Sequence, residues 1–277
     1  MTDTSSDRKQ KVAASFNLAS VGYDRQPISF LALTARRLVE LAGVDSKEAI
    51  LDVATGTGAA AIAISPRVGA NGRVIGVDIA QDMLDVAQRN IKTANVTNID
   101  LQVGDGENLN FSDNSFDKVI CASGIFFFPD MLAGLRDWLR VIKPGGIVAF
   151  SSFGESAFNP MREMYANRIQ NYGVVLPTSR GFNRLNTADK CIDLAQEAGF
   201  VDVDIRQEQL GYYLRDIDDW WDIVLHTGFR YSLMQIEPEK LEQFKTEHLA
   251  EVEKLATNEG IWLDVPVIFV LGRKPLA

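Results

Sequence analysis

Residues 50–64 read ILDVATGTGAAAIAI, and this stretch decides the fold. It begins as a short apolar strand containing Asp52, continues through a loop with Gly56 and Gly58, and ends in an alanine-rich run that predicts a helix. Glycines let the backbone turn sharply and let a ligand approach where a Cβ atom would collide. The helix that follows directs its unpaired N–H groups and the positive end of its dipole at the loop. Because open α/β sheets bind ligands at the carboxyl ends of their strands, the stretch predicts a nucleotide-type site.

The rest of the chain repeats this alternation of strand and helix. Further strands are predicted at residues 73–78, 99–103, 116–122, 147–153, 201–208 and 265–273. Helical patterns lie between them, including residues 81–95, whose apolar side chains share one face. The helix after the glycine loop is expected to be interrupted near Pro66. Strands and helices that alternate at short connections indicate an α/β fold with a parallel sheet covered on both faces.

The whole chain of 277 residues is predicted to form a single domain. Residues 1–45 carry two helical patterns, joined by a loop that presents Tyr23, and are expected to form a lid. Residues 46–153 would form the core that binds the ligand. Residues 154–186 and 209–264 interrupt the alternation without a strong strand pattern. Both segments leave the carboxyl edge of the sheet, so we expect them to form helical caps over the site.

The composition excludes several classes of protein. The chain has 28 Lys and Arg against 37 Asp and Glu, a formal net charge of −9, and an acidic surface repels phosphate backbones, so nucleic acid is not expected as a partner. No apolar run of about 18 residues and no signal-peptide core are present, so no membrane span is expected. The two cysteines, Cys121 and Cys191, form no metal or disulfide pattern, as is typical of a reducing compartment. We therefore expect a cytoplasmic protein whose partner is a small molecule.

The glycine loop by itself fits two kinds of cofactor. Residues 56–61 match a loose GxGxxG/A pattern, and Asp78 lies 20 residues beyond Gly58, where dinucleotide-binding folds carry the acid that binds the ribose. Asp52, however, lies close to the loop, where a carboxylate would repel a pyrophosphate and attract an ammonium or sulfonium group. Another acid, Asp105, follows the third predicted strand at the same edge of the sheet. Several acids around an adenosine suit S-adenosylmethionine, which is cationic at sulfur and carries no phosphate.

Five stretches within the first 150 residues resemble a known family, in the expected order. They are FNLASVGYD (16–24), ILDVATGTG (50–58), VIGVDIAQDML (74–84), VGDGENLNFSDNSFD (103–117) and LRVIKPGG (139–146). On these stretches the chain resembles the class I S-adenosylmethionine-dependent methyltransferases, in particular the ubiquinone/menaquinone-methyltransferase-like (methyltransferase type 11) group. The resemblance implies a Rossmann-like seven-stranded sheet in the order 3-2-1-4-5-7-6, with the last strand antiparallel. It also implies S-adenosyl-L-methionine as the cofactor.

The resemblance further implies roles for residues at the edge of the sheet. The residues expected to contact the methionine part of the cofactor are Asp52, Ala54, Gly56, Gly58 and Ala122. Those expected to contact the adenosine part are Asp78 at the ribose hydroxyls, Ile79 and Met83 beside the adenine, Asp105 at the adenine amine and Gly106 through its backbone. Tyr23 would close over the cofactor from the lid.

Two positions depart from the family's pattern. Ala54 replaces the first glycine of the usual GxGxG, which we expect to be tolerated because its φ can be negative. After the fourth strand many relatives carry a histidine near the point of methyl transfer, whereas residues 124–129 here read GIFFFP and offer no base. Phe127 within this stretch is a candidate either for the core or for the substrate pocket.

The second cap segment supplies the remaining candidates for catalysis and substrate binding. His226 stands four residues after Asp222, so both share a helix face, and a carboxylate there would orient the imidazole and raise its pKa, as a general base requires. The alternative is an exposed Asp–His pair on the outside of the cap. Trp221 and Arg230 would suit an aromatic or anionic substrate. The other histidine, His248, is expected at the surface or edge of its helix.

The predicted function is transfer of a methyl group to oxygen, carbon or nitrogen of a small-molecule acceptor, expected to be aromatic or secondary-metabolite-like. Displacement at a sulfonium methyl is helped mainly by positioning and by exclusion of water. No His, Asp and Glu cluster with metal-ligand spacing is seen, so no metal is expected. One alternative is an NAD(P)-dependent oxidoreductase, against which Asp105 argues. The other is a non-catalytic protein that binds the cofactor or a partner.

Overall fold

The computed structural model describes residues 4–176 and 181–276. Residues 1–3, 177–180 and 277, which belong to the predicted lid, the first predicted cap segment and the C-terminus, lie outside the described residues. The strands are β1 Ala49–Val53, β2 Arg73–Asp78, β3 Ile99–Val103, β4 Phe116–Cys121, β5 Ile142–Phe153, β6 Val201–Gln209, β7 Tyr212–Leu214, β8 Ile261–Leu263 and β9 Pro266–Arg273. The helices are α1 Ser5–Ala19, α2 Ser29–Leu41, α3 Ala59–Val68, α4 Gln81–Thr93, α5 Met131–Val141, α6 Met161–Gln170, α7 Ala188–Ala198, α8 Ile217–His226, α9 Arg230–Leu233 and α10 Leu241–Val252.

Seven of the strands form one sheet in the order β3-β2-β1-β4-β5-β9-β6. The first five strands pair in parallel, and β9 lies antiparallel between β5 and β6. Because β7 and β8 form a separate two-stranded sheet, β9 is the seventh strand of the large sheet in chain order. The predicted order 3-2-1-4-5-7-6 with an antiparallel last strand is therefore confirmed.

The central strand β1 is buried on both faces. Its side chains Ile50, Leu51 and Val53 have no exposed surface, and it is paired on one side with β2 and on the other with β4. Helices α2 and α3 pack against each other, as do α5 and α7, and together with the sheet they enclose one continuous apolar core. A nearly unbroken apolar run is typical of parallel strands that helices cover on both sides.

Two local expectations are wrong. Helix α3 continues through Pro66 to Val68. Because Pro66 lies in the last turn, its missing N–H removes a hydrogen bond only where the helix is about to end. The second cap segment contains the short strands β7 and β8, whose pairing brings the rings of Tyr213 and Trp262 to 5.1 Å. Cross-strand aromatic contacts of this kind stabilise short pairings that lack an alternating pattern.

Helix α1 lies across the carboxyl edge of the sheet and connects the core with the C-terminal helices. It packs against α4 on one side and against α8 and α9 on the other. Helices α6 and α10, from the two predicted cap segments, also pack against each other. Among the described residues, no helix combines the length and the apolar character that crossing a membrane requires.

Candidate active site

Asp78, the last residue of β2, fixes the glycine loop. Its Oδ2 atom accepts the backbone N–H of Gly56 at 2.8 Å, and its Oδ1 atom accepts that of Ala80 at 2.9 Å. Gly56 has a φ of 54°, a left-handed conformation that glycine adopts without steric cost. Burial raises the pKa of Asp78, while these backbone N–H groups favour the ionised form.

Ala54 also has a positive φ, 54°, so the expectation of a negative φ is wrong. The chain must turn sharply after β1, and residues 54, 56 and 58 all adopt the left-handed region to do so. For a residue with a Cβ atom this conformation costs roughly 1–2 kcal/mol. Gly124 makes room for the methyl group, because a Cβ atom at that position would lie 2.6 Å from Ala54 Cβ.

Asp52 is buried beneath the loop with one oxygen unpaired. Its Oδ2 atom accepts the hydroxyl of Thr55 at 2.6 Å and the backbone N–H of Ala61 at 3.0 Å. Its Oδ1 atom is buried and has no hydrogen-bond partner. Burial raises the pKa of Asp52 to about 7, with a contribution from the nearby charge of Asp78, although the bonds from Thr55 and Ala61 oppose the shift. A cationic ligand at Oδ1 would favour the ionised form.

A first cavity of about 720 Å³ lies at this edge of the sheet. The predicted cofactor-binding residues that line it are Tyr23, Ala54, Gly56, Asp78, Ile79, Met83, Asp105, Gly106 and Ala122. Asp52 lines an adjoining cavity that shares Tyr23, Ala54, Gly56 and Ala122 with the first. Gly58 lies at the N-terminal end of α3 with a φ of 86°. Apart from Gly58, which lines neither cavity, the residues that the resemblance assigned to a cofactor thus lie around these two adjoining cavities.

Tyr23 is held over the loop by its neighbour Asp24. The Asp24 carboxylate accepts the hydroxyl of Thr57 at 2.6 Å and the side-chain amide of Asn90 at 2.7 Å. Burial raises the pKa of Tyr23, and the carboxylates of Asp78 and Asp24 raise it further. The phenol therefore stays protonated at neutral pH, and Tyr23 lines the first cavity.

Sequence reasoning missed Lys9, which reaches into the first cavity from α1. Its Nζ atom donates to Asp105 Oδ2 at 2.7 Å and forms an ion pair with Glu107. Burial alone would lower the pKa of Lys9, but these two carboxylates raise it. Val12 and Phe16 line the same cavity. The spacing of three and four residues from Lys9 through Val12 to Phe16 is the signal that could have identified this face of α1.

A second, larger cavity of about 1220 Å³ adjoins the first, and both are lined by Phe16, Tyr23, Ser123 and Phe127. Aromatic rings dominate the rest of its wall, contributed by Phe30, Phe126, Phe153, Phe158, Phe182 and Phe229. The centroids of Phe153 and Phe182 are 5.7 Å apart, and those of Phe126 and Phe127 are 4.8 Å apart. Phe127 therefore lies where the two cavities meet, and its role in substrate binding stays a prediction.

His226 does not have the environment predicted for a general base. Its Nδ1 atom lies 3.2 Å from the carbonyl oxygen of Ala19, and its ring packs on Gly22, where a Cβ atom would come within 2.5 Å of it. Burial lowers the pKa of His226 instead of raising it. Asp222, its expected partner, accepts a hydrogen bond from Arg25 at 2.6 Å. His226 stabilises the contact of α8 with residues 19–22 and lines neither of the two cavities.

The other two residues predicted for substrate binding also lie away from the cavities. Trp221 is 7% exposed and packs against Phe244, with Lys245 Nζ 5.6 Å from its ring. Arg230 donates to the carbonyl of Leu225 at 3.3 Å. Neither belongs to the lining of the first or the second cavity. Trp221 lies on α8 and Arg230 on α9, and their nearness in sequence to His226 did not indicate which side of these helices meets the site.

His248 is fully buried, so its predicted place at the surface is wrong. It accepts a hydrogen bond from Trp220 Nε1 at 2.8 Å through Nε2, stacks on Phe244, and leaves Nδ1 without a partner. Burial lowers its pKa to about 4, so the ring is neutral at physiological pH. Among residues 4–176 and 181–276, no group of three or more His, Cys, Asp or Glu side chains is placed to hold a metal ion.

Comparison with known proteins identifies relatives of this chain. Residues 4–213 match the model of the ubiE/COQ5 methyltransferase family. The chain is 38% identical over 162 residues to demethylmenaquinone methyltransferase of Staphylococcus aureus, a match that covers 57% of this chain and 66% of that protein, just under two thirds of its length.

Solved structures share the fold. YcgJ of Bacillus subtilis aligns with a TM-score of 0.60 at 20% identity, covering 88% of this chain and 98% of YcgJ. Phosphoethanolamine N-methyltransferase 2 of Haemonchus contortus, in complex with S-adenosyl-L-methionine, aligns with a TM-score of 0.56 at 16% identity, covering 93% and 60% of the two chains. The predicted Rossmann-like architecture is confirmed.

Proposed function

This chain belongs to the ubiE/COQ5 methyltransferase family, and from that membership we propose that it is an enzyme that transfers a methyl group from S-adenosyl-L-methionine to a small-molecule acceptor. The observation that carries the proposal is the contact between two unlike cavities. The first is lined by acids and the glycine loop, the second by aromatic rings, and four residues belong to both. Methyl transfer requires two ligands to meet in this way.

The residues around the first cavity fit a cofactor that is cationic and free of phosphate. The unpaired Oδ1 atom of Asp52 would face the cationic methionine part, next to the loop at Ala54 and Gly56. Asp78 would bind the ribose hydroxyls, and Asp105 the adenine amine, with Ile79 and Met83 beside the ring. Carboxylates this close to the loop disfavour a pyrophosphate, which argues against NAD or NADP.

The protein's part in the reaction would be to position the acceptor and exclude water. When bound, the cofactor supplies a methyl group activated by a positively charged sulfur. Phe16 and Phe127 contact each other edge to face, with ring centroids 5.0 Å apart, and form an apolar wall at the junction of the cavities. Of the four residues common to both cavities, Tyr23 and Ser123 carry the polar groups, and the raised pKa of Tyr23 keeps it protonated. Since His226 is elsewhere, the second cavity lacks the predicted imidazole base, and an acceptor that is ionised or already nucleophilic would suit it best.

We propose an aromatic, quinol-like acceptor for the second cavity. The Staphylococcus aureus relative is a demethylmenaquinone methyltransferase. The phenylalanine rings lining the second cavity would stack on, or meet edge to face, a planar ring system. An electron-rich quinol is also nucleophilic without help from a strong base, as this site would require.

A thermal-shift comparison of S-adenosyl-L-methionine, S-adenosyl-L-homocysteine, NAD and NADP tests the cofactor. A ligand at about 100 times its Kd should add roughly 2.7 kcal/mol, a rise of about 5–10 °C in Tm for a chain of this size. We expect stabilisation by the first two compounds only, and weaker stabilisation in Asp78→Asn. A response to NAD or NADP alone would overturn the proposal. Transfer of a labelled methyl group to 1,4-naphthalenediol then tests the acceptor class, and binding of the cofactor without transfer to any hydroxylated aromatic would favour a non-catalytic role.

A further inference from the structure

Arg162 introduces a positive charge into the wall of the aromatic cavity. It lies at the start of α6 and lines the second cavity together with Phe182, whose ring centroid is 5.1 Å from its Cζ atom. Its Nη2 atom donates to the backbone carbonyl of Glu155 at 2.9 Å. The group that anchors the guanidinium is thus a neutral carbonyl, and its planar head is fixed by that bond and by the ring.

One end of this guanidinium is buried and unpaired. Among residues 4–176 and 181–276, the Nη1 atom has no hydrogen-bond partner. Glu163, which also lines the cavity, accepts the side-chain amide of Asn159 at 2.7 Å through Oε1. Burial lowers the pKa of Arg162, yet a guanidinium remains charged at any physiological pH. A buried donor without an acceptor lowers the stability of the protein. An arginine in a ligand cavity commonly donates such a free N–H group to an oxygen of the ligand.

We propose that Arg162 binds an ionised oxygen carried by the aromatic acceptor, so that the acceptor class is an aromatic ring bearing a phenolate or carboxylate group. This inference rests on the proposed function, since it concerns the acceptor of the same site. The ring would lie in the second cavity beside Phe153 and Phe182, and the anionic oxygen would meet the guanidinium of Arg162. Arg162 acts here in recognition and orientation, without taking or giving a proton.

The contacts distinguish Arg162 from its neighbour Arg184. Arg184 is also half-buried by the aromatic stretch, but its two terminal nitrogens donate to the carbonyls of Phe128 and Pro129. Both terminal nitrogens of Arg184 are therefore bound by the protein. Arg162 lines the second cavity and, among the described residues, keeps one terminal nitrogen without an acceptor, which is what recognition of an anionic ligand needs.

Calorimetric titration with a matched pair of probes tests the inference. The probes are 2-naphthoate and its uncharged isostere 2-naphthamide, and the proteins are wild type, Arg162→Gln, Arg162→Lys and Arg206→Gln. Arg206 is an exposed arginine on β6, paired with Asp204 at 3.0 Å, and controls for loss of a positive charge. We expect wild type to prefer the carboxylate by about tenfold to hundredfold, as for a charge-assisted hydrogen bond.

In Arg162→Gln the two probes should bind with about equal affinity. In Arg162→Lys the preference for 2-naphthoate should be smaller than in wild type, and in Arg206→Gln it should be unchanged. A wild type without the preference, or an Arg162→Gln variant that keeps it, would overturn the inference. The rise in Tm with S-adenosyl-L-homocysteine is measured on the same proteins and reports folding and cofactor binding separately. If wild type shows no rise in Tm with S-adenosyl-L-homocysteine but still binds 2-naphthoate more tightly than 2-naphthamide, the proposed function is overturned. The role assigned to Arg162 is then still supported.

Discussion

Cofactor binding should depend on pH through the buried carboxyl of Asp52. Its pKa is raised to about 7, chiefly by burial, and its Oδ1 atom has no hydrogen-bond partner in the part of the chain that the structure describes. If the cationic part of the cofactor lies against this oxygen, binding selects the ionised form and lowers the pKa. Roughly a tenth of Asp52 is ionised at about pH 6 and roughly nine-tenths at about pH 8. The affinity should therefore rise about tenfold between these pH values, or about 1.4 kcal/mol.

The assay is calorimetric titration of S-adenosyl-L-homocysteine and S-adenosyl-L-methionine at both pH values, in buffers of different ionisation enthalpy. The matched variant is Asp52→Asn, whose amide oxygen can still accept from Thr55 and Ala61. The ligand's own amino group titrates in the same way with both proteins. Its effect therefore cancels when the affinity of wild type is divided by the affinity of the variant at each pH. With S-adenosyl-L-methionine, wild type should release close to one more proton per cofactor than the variant at about pH 6. Equal pH slopes and equal proton release in the two proteins would refute the assigned role of Asp52.

Two further predictions concern stability. Because the pKa of His248 is lowered to about 4 by burial, from 6.5 in the unfolded chain, the folded state binds fewer protons between these values and loses stability as pH falls. Urea unfolding at about pH 7 and pH 5 should show His248→Gln gaining roughly 2 kcal/mol relative to wild type at the lower pH, and a constant difference would contradict this. Ala54→Gly removes the strain of a positive φ but adds entropy to the unfolded chain, so we expect a net gain of about 0.5–1 kcal/mol in thermal unfolding, and a lower Tm would contradict it.

The sequence was sufficient for the features that depend on strand ends. Asp52, Asp78 and Asp105 were predicted to converge because the carboxyl ends of parallel strands share one edge of a sheet, and they line connected cavities. The strand order and the family predicted from five motifs are confirmed by the sheet and by the match over residues 4–213. The convergence of the acids follows from local patterns combined with general rules of α/β topology, whereas the strand order was implied by the resemblance to the family.

Features that depend on how helices dock could not be read from local patterns. Lys9 donates a hydrogen bond to Asp105, which is 96 residues away in the sequence, and Arg25 donates one to Asp222, which is 197 residues away. The i, i+4 spacing of Asp222 and His226 correctly indicates neighbours on one helix, but the side of α8 that faces the lid is decided by packing between distant segments. The positive φ of Ala54 is likewise decided by the turn after β1, against the preference of the residue itself.

Helix α1 is the element through which the two proposed ligands would influence each other. Lys9 anchors it to Asp105 in the wall of the first cavity, while Asn17 accepts the backbone N–H of Asp82 at 3.1 Å and fixes its far end to α4. Between these anchors Phe16 lines both cavities, with its ring against Phe127. A cofactor that orders α1 would therefore also complete the wall of the aromatic cavity. The acceptor should then bind more tightly when the cofactor is present. Because coupling between two ligands is reciprocal, the acceptor should increase the affinity for the cofactor by the same factor.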